Sequence, residues 1–172
     1  GEINTIRGNE DKMIAREETM ESTIMQDEMY KVMPVLDPDG SDSARLDNCL
    51  EFLVLNGIPL PMAVMITIPE PWENDRAMSQ EKKDFYQYYA TMMEPWDGPA
   101  SILFTDGELM GAVLDRNGLR PSRYYITDDD YLVLSSEVGV LDVDPSKIVK
   151  KDRLRPGKML LVDTVNGRLI SD

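Results

Sequence analysis

The sequence predicts an α+β fold, with helices in the first part of the chain and an antiparallel sheet in the second. Apolar residues before Gly98 recur at spacings of three and four, which is the period of an amphipathic helix. After Gly98 they fall in short runs rich in β-branched residues and separated by turn formers, as in paired strands. We find no internal repeat and no low-complexity linker. We therefore expect two layers of one domain over residues 1–172, helical over about 1–97 and sheet over about 98–172.

The clearest predicted helix covers residues 42–56. Ser41 can cap its start and Gly57 can end it, because a serine side chain accepts from first-turn amides and glycine tolerates the left-handed conformation after a helix. Its apolar positions follow helical spacing: Leu46, Leu50, Leu53 and Val54. Three further helices are expected at residues 10–18, 61–67 and 79–93. The last would place one apolar side inward: Phe85, Tyr88, Tyr89 and Met92.

Six strands are predicted, and they form three hairpins. Residues 101–105 and 109–114 flank Asp106 and Gly107, which both tolerate positive φ. Residues 123–127 and 131–135 flank three consecutive aspartates, and residues 159–164 and 168–170 flank Asn166 and Gly167. Aspartate, asparagine and glycine are turn formers, so each pair should be antiparallel.

Charge and composition exclude several classes of function. The 172 residues include 32 acidic and 18 basic side chains, a formal charge of −14, and such a field repels nucleic acid and anionic membrane surfaces. The longest apolar stretch, residues 60–68, contains Pro61 and is far shorter than the ~20 residues that a membrane helix needs. We expect no nucleic-acid partner and no membrane partner.

The chain has one cysteine, Cys49, and no histidine. A zinc site would need carboxylates and one thiol, so no metal site is predicted. The lone cysteine favours a reducing, cytoplasmic compartment. Without histidine the chain cannot assemble a Ser-His-Asp or Cys-His arrangement, and glycine-rich phosphate loops are absent as well. Cys49 itself falls inside the predicted helix 42–56, where we expect it to be a small buried side chain.

Five separated runs are similar to segments of one family. They are GEINTIRGN at 1–9, SDSA at 41–44 with LDN at 46–48, EPWDGPA at 94–100, DRNGLRPSRY at 115–124 and SEVGV at 136–140. In this order they resemble the later part of the class II glutamine amidotransferase domain of glutamate synthase large subunits. The resemblance covers essentially the whole chain.

The resemblance implies an N-terminal-nucleophile hydrolase fold, an αββα sandwich. It also implies that the fold is incomplete here, since the family's nucleophile is a cysteine at the mature amino terminus, in a part that would lie upstream of Gly1. The α-amino group of that cysteine serves as base, which explains how such a domain dispenses with histidine. An α-amino group titrates near neutrality, so it can accept and return a proton.

Three site residues carry over from the family. Gly1 matches the residue whose backbone N–H stabilises the oxyanion, although as a chain terminus its nitrogen would be an ammonium and it could equally be a frayed end. Asp42 matches the acid that receives the α-ammonium of glutamine; otherwise it is an ordinary first-turn acid. Arg120 could support the floor of the glutamine pocket, whereas Asn117, Gly118 and Pro121 around it favour a structural turn.

By resemblance, the parent enzyme releases ammonia from glutamine for glutamate formation from 2-oxoglutarate, in a downstream synthase domain that uses FMN and an iron–sulfur cluster. No cofactor is expected in this chain, and the isolated chain should be inactive. Its expected partners are glutamine, the upstream part of the same domain and the synthase domain. The alternative is a non-catalytic interaction or structural module that has kept the scaffold without its nucleophile.

Overall fold

The computed structural model describes residues 1–172, which form two compact units, Gly1–Gly98 and Pro99–Asp172. The boundary coincides with the change in sequence pattern at Gly98. Every α-helix lies in the first unit and every β-strand in the second, as the two periodicities predict. None of the helices is both long enough and apolar enough to cross a bilayer.

All four predicted helices are present in the first unit. They are α1 (Ile6–Glu17), α2 (Asp42–Leu55), α3 (Leu60–Thr67) and α4 (Gln80–Ala90). Helix α1 begins one turn earlier than predicted, at Ile6 rather than near residue 10. A 3-10 helix, Gln26–Val32, was not predicted; it mixes charged and apolar residues without a clear helical period.

Helix α2 begins as the sequence predicts, because the Ser41 hydroxyl accepts a hydrogen bond from the Ala44 N–H at 3.3 Å. Its buried residues are Leu46, Cys49 and Leu50, so Cys49 is a buried side chain, as expected. The placement of Val54 on the apolar face is wrong, since Val54 is 37% exposed. The buried stripe of the helix is centred on positions 46, 49 and 50, and Val54 lies at the edge of this stripe.

The predicted inward side of α4 is partly wrong. Tyr88 and Met92 are 56% and 49% exposed, whereas Tyr86 and Met93 are buried. The buried side of the helix therefore centres on Tyr86, and the predicted Phe85 and Tyr89 are half-buried beside it. The Tyr86 hydroxyl donates to buried Glu70 at 3.1 Å, so the aromatic ring is buried while its polar end keeps a partner.

The second unit contains two antiparallel sheets. Its strands are β1 (Ser101–Thr105), β2 (Leu109–Leu114), β3 (Arg123–Thr127), β4 (Leu132–Ser135), β5 (Ile148–Arg153), β6 (Met159–Asp163) and β7 (Arg168–Ile170). One sheet has the order β1-β2-β6-β7 and the other β4-β3-β5. The three predicted hairpins are confirmed as β1–β2, β3–β4 and β6–β7.

Strand β5 was not predicted. It carries four consecutive charged residues and lies at an edge of its sheet, so it lacks the apolar alternation by which half-buried strands are recognised. The core of the second unit joins both sheets through Ala112, Leu114, Tyr124, Leu154 and Leu160.

Candidate active site

The first residues of the chain are held against the start of helix α2. The backbone N–H of Ile3 donates to Oδ2 of Asp42 at 3.0 Å, and the Ile3 side chain is buried. Asp42 is the first residue of α2 and follows its cap, Ser41. The hydrogen bond thus joins Asp42 to the residue that lies two positions after Gly1.

Asp42 retains a free acceptor. Only Oδ2 is engaged by the protein, and Oδ1 makes no hydrogen bond. Asp42 lies in the first turn of α2, a position at which acidic side chains are common because the helix dipole has its positive end there. A half-buried carboxylate with one oxygen fixed and the other open can accept a charge-assisted hydrogen bond from an ammonium group.

The segment before α1 packs directly on the backbone of Gly98. A Cβ added at Gly98 would lie 2.0 Å from the Glu2 carbonyl oxygen and 2.8 Å from the Asn4 nitrogen, and φ is +151°. Only glycine permits so close an approach of two backbones in this conformation. Gly98 therefore determines where the residues that follow Gly1 can lie.

Side chains complete this contact. The Asp97 N–H donates to Oγ1 of Thr5 at 2.9 Å, and that hydroxyl donates to Oδ1 of Asn9 at 2.7 Å. The Asn9 amide donates in turn to the Pro95 carbonyl at 3.1 Å, and Asn9 is only 1% exposed. Thr5 is the cap position of α1 yet makes no capping bond. Its hydroxyl instead fixes the loop before Gly98 to the residues that follow Gly1.

We expect Thr5→Val to lower the free energy of unfolding by about 1–3 kcal/mol, because Asn9 loses the donor to its buried carbonyl oxygen. Thr5→Ser keeps the hydroxyl and should retain most of the stability. Urea denaturation of both variants measures the difference. A loss of stability in Thr5→Ser with none in Thr5→Val, which keeps a methyl group, would show that the methyl group of Thr5, and not its hydroxyl, holds the loop.

Cys49 is unsuited to act as a nucleophile. It is fully buried, and burial, with a smaller contribution from the Glu94 carboxylate, raises its pKa to about 12; the Arg16 guanidinium opposes the rise. Arg16 and Glu94 form an ion pair with each other. A thiol with so high a pKa supplies almost no thiolate at neutral pH.

This buried thiol has a consequence for stability at high pH. The folded pKa lies above the usual value of 9.0, so stability from the neutral thiol is complete below pH 9 and is lost between about pH 9 and 12. The slope is about −1.4 kcal/mol per pH unit at most. We expect the free energy of unfolding, measured with urea, to fall with rising pH in this range more steeply in the unmodified protein than in Cys49→Ala. Parallel pH dependences for the two proteins would contradict the shifted pKa.

Arg120 lies in the second unit, in the exposed connection from β2 to β3. Its guanidinium makes no hydrogen bond or ion pair, and it borders a cleft of about 380 Å³ with Gly118 and Pro156. The connection is organised by Asp115, which is buried and was not singled out from the sequence. Its carboxylate accepts from the N–H groups of Ala100 at 3.2 Å and Asn117 at 3.0 Å, so local hydrogen bonds stabilise this turn.

The geometry brings three of the similar runs together within the first unit: the segment after Gly1, the start of α2 and the loop before Gly98. No group of three or more Cys, Asp or Glu side chains is placed to hold a metal ion. A profile of the class-II glutamine amidotransferases matches residues 1–172. The chain belongs to the class-II glutamine amidotransferases.

Relatives of this amidotransferase chain are glutamate synthases. It is 54% identical over 172 residues to the glutamate synthase [NADPH] large chain of Bacillus subtilis, with 100% of this chain and 11% of that protein covered. It is 52% identical over 173 residues to glutamate synthase [NADH] of Schizosaccharomyces pombe, covering 100% and 8%. The ferredoxin-dependent glutamate synthase, chloroplastic, of Oryza sativa is 47% identical over 175 residues, covering 100% and 11%. The chain spans about a tenth of the length of these relatives.

Proposed function

We propose that residues 1–172 are part of the glutaminase domain of a glutamate synthase, which releases ammonia from glutamine for glutamate formation from 2-oxoglutarate. The observation that carries the proposal is the hydrogen bond from the Ile3 N–H to Asp42. This hydrogen bond joins the backbone two residues after the proposed oxyanion position, Gly1, to an acid whose other oxygen makes no hydrogen bond. These are two of the elements that amide hydrolysis of an amino acid substrate requires.

In this proposal Oδ1 of Asp42 accepts a hydrogen bond from the α-ammonium of glutamine. The backbone N–H at Gly1, as an amide within a longer polypeptide, donates to the oxygen of the side-chain amide as negative charge develops there. Hydrogen bonding of Ile3 to Asp42 keeps the two groups at a constant separation. The substrate is thereby oriented before attack, which lowers the entropic part of the barrier.

The nucleophile is a terminal cysteine supplied from outside these 172 residues. Its sulfur forms a bond to the amide carbon, the carbon–nitrogen bond breaks and ammonia leaves with the proton that the α-amino group returns. Water then hydrolyses the thioester to glutamate. Cys49 has no part in these steps, since it is buried and its pKa is raised to about 12.

Arg120 supports the floor of the glutamine pocket in this proposal, through a guanidinium that is free of protein partners. The helices of the first unit and the strands of the second are parts of one incomplete αββα domain of the N-terminal-nucleophile type. This arrangement is supported by the family match and by the mixed content of helix and antiparallel sheet.

The cofactors of the proposed parent enzyme, FMN and an iron–sulfur cluster, belong to its synthase domain. The residues of this chain do not fit a cluster, because cysteine thiolates hold such clusters and the one cysteine here is buried. The chain therefore contacts glutamine and its neighbouring domains. A free cysteine also supports a reducing, cytoplasmic location.

The test compares the polypeptide encoded by the complete gene with the 172-residue chain alone, each incubated with glutamine while ammonia is followed. We expect thiol-dependent ammonia release from the complete protein and none from the chain alone. Cys49→Ser should leave the rate of the complete protein unchanged within about twofold. A complete protein that folds but has no terminal cysteine and releases no ammonia would favour a non-catalytic module on the same scaffold.

A further inference from the structure

One face of the β3–β5 pair carries three cations and one aromatic ring. Arg123 lies directly opposite Arg153, and Tyr125 lies directly opposite Lys151. Because side chains two residues apart in a strand share a face, all four project to the same side. The opposite side of this pair carries Tyr124, which belongs to the core.

These three cations have no acidic partner. None of them forms an ion pair, although acidic residues outnumber basic ones by 32 to 18 in the chain. Asp152 lies between Lys151 and Arg153 in sequence but alternates to the other face of the strand, and its carboxylate accepts the Arg153 N–H. Like charges directly opposite each other destabilise a strand pair, so an anion on this face would relieve the repulsion between Arg123 and Arg153.

Protection of a sheet edge explains only part of the pattern. Lysine and arginine on an edge strand discourage pairing with other chains, and β5 is an edge strand. Arg123, however, belongs to β3, the central strand of the sheet. Its position opposite Arg153 does not protect an edge, although the two positively charged side chains repel each other there.

The same face borders a cleft of about 680 Å³ with an apolar opposite wall. Arg123, Tyr125, Lys151 and Arg153 line it together with Val138, Leu141 and Val143. One acidic residue, Asp152, also lines the cleft, whereas Asp142 and Asp144 of the wall segment do not. Volumes of this size suit small organic ligands. This cleft offers an apolar wall, an aromatic ring and three cations against the single carboxylate of Asp152.

We propose that this cleft binds a small organic anion of the nucleotide class, with an aromatic body against Tyr125 and the apolar wall and phosphate groups on Arg123, Lys151 and Arg153. Guanidinium groups bind phosphate oxygens in pairs of parallel hydrogen bonds. Any of the nucleic-acid bases can stack on a tyrosine ring, because every base has an aromatic face. The site lies wholly in the second unit and uses no residue of the proposed glutamine site.

The experiment titrates ATP and inorganic triphosphate by calorimetry at low and moderate salt, first into the 172-residue chain and then into the complete gene product. Circular dichroism checks that each variant is folded. We expect one ATP per chain with a Kd below about 1 mM, weakened about tenfold or more by Arg123→Gln. Arg123→Lys keeps the charge but loses the paired hydrogen bonds, so its affinity should lie between those of Arg123→Gln and the unmodified protein. Inorganic triphosphate should bind more weakly than ATP and be insensitive to Tyr125→Ala, whereas ATP should be weakened by that change.

Arg155→Gln is the matched control, because Arg155 is an exposed arginine of the same unit that borders the neighbouring cleft but not this one. It removes the same charge and should leave ATP binding unchanged. Equal losses for Arg123→Gln and Arg155→Gln, or no ATP binding by folded protein, would overturn the proposal. Tighter binding of a polyglutamate peptide than of ATP, dependent on Arg123, would replace the small ligand by an acidic protein segment.

Discussion

Gly98→Ala is expected to lower the free energy of unfolding by more than about 3 kcal/mol and to abolish glutaminase activity of the complete protein. The added methyl carbon would lie 2.0 Å from the Glu2 carbonyl oxygen, so the backbone next to Gly1 must move. Overpacking costs typically about 1–3 kcal/mol, and a positive φ in a residue other than glycine adds about 1–2 kcal/mol. Urea denaturation measures the first effect and glutamine-dependent ammonia release the second.

Gly107→Ala separates the two contributions. Gly107 has a φ of +97°, but nothing lies within 4 Å of a Cβ built there. The free energy of unfolding of this variant should therefore fall only by the cost of a positive φ in alanine, about 1–2 kcal/mol, and its activity should be kept. If both alanine variants were destabilised to the same extent, the close approach of Gly98 to Glu2 would have no energetic role.

Asp42→Asn in the complete protein is expected to raise the KM for glutamine about 10–100-fold with a smaller change in kcat. The asparagine can still accept the hydrogen bond from Ile3 but cannot provide the negative charge for the substrate ammonium. A hydrogen bond to a charged group contributes about 1.5–3 kcal/mol, and 1.4 kcal/mol corresponds to a tenfold change in affinity. Steady-state kinetics over a wide range of glutamine concentrations measures the effect.

The matched control is Asp47→Asn, an exposed acid in the same helix. It removes the same charge from α2 without touching the segment after Gly1, so its KM should be that of the unmodified protein. A comparable rise in KM for both variants would indicate a general effect of charge on substrate attraction. It would then remove Asp42 from its proposed role.

Local signals were sufficient where the physical cause is itself local. The start of α2 follows from the Ser41 side chain, which caps the helix as its position predicts. The three hairpins follow from turn formers between apolar runs. The burial of Cys49 follows from its place within the apolar period of a helix.

Other features could not be predicted from local pattern. Strand β5 pairs with β3 although its sequence, IVKKDR, has no apolar alternation. The buried face of α4 centres on Tyr86 rather than Tyr88, because which neighbours a helix meets depends on the arrangement of the others. In the sequence Asp115 looks like any other acidic residue before a turn. In the structure it differs from them because its carboxylate is buried and accepts two backbone hydrogen bonds.

The sequence by itself determined the division between helices and strands, most of their boundaries and, through five separated motifs, the family. Periodicity, capping and turn formation act between residues close in the chain, so they can be recognised without coordinates. Only the tertiary structure placed Ile3 on Asp42, Gly98 against Glu2 and Arg123 opposite Arg153. These contacts join residues far apart in sequence, and their geometry depends on the packing of the whole unit rather than on any local preference.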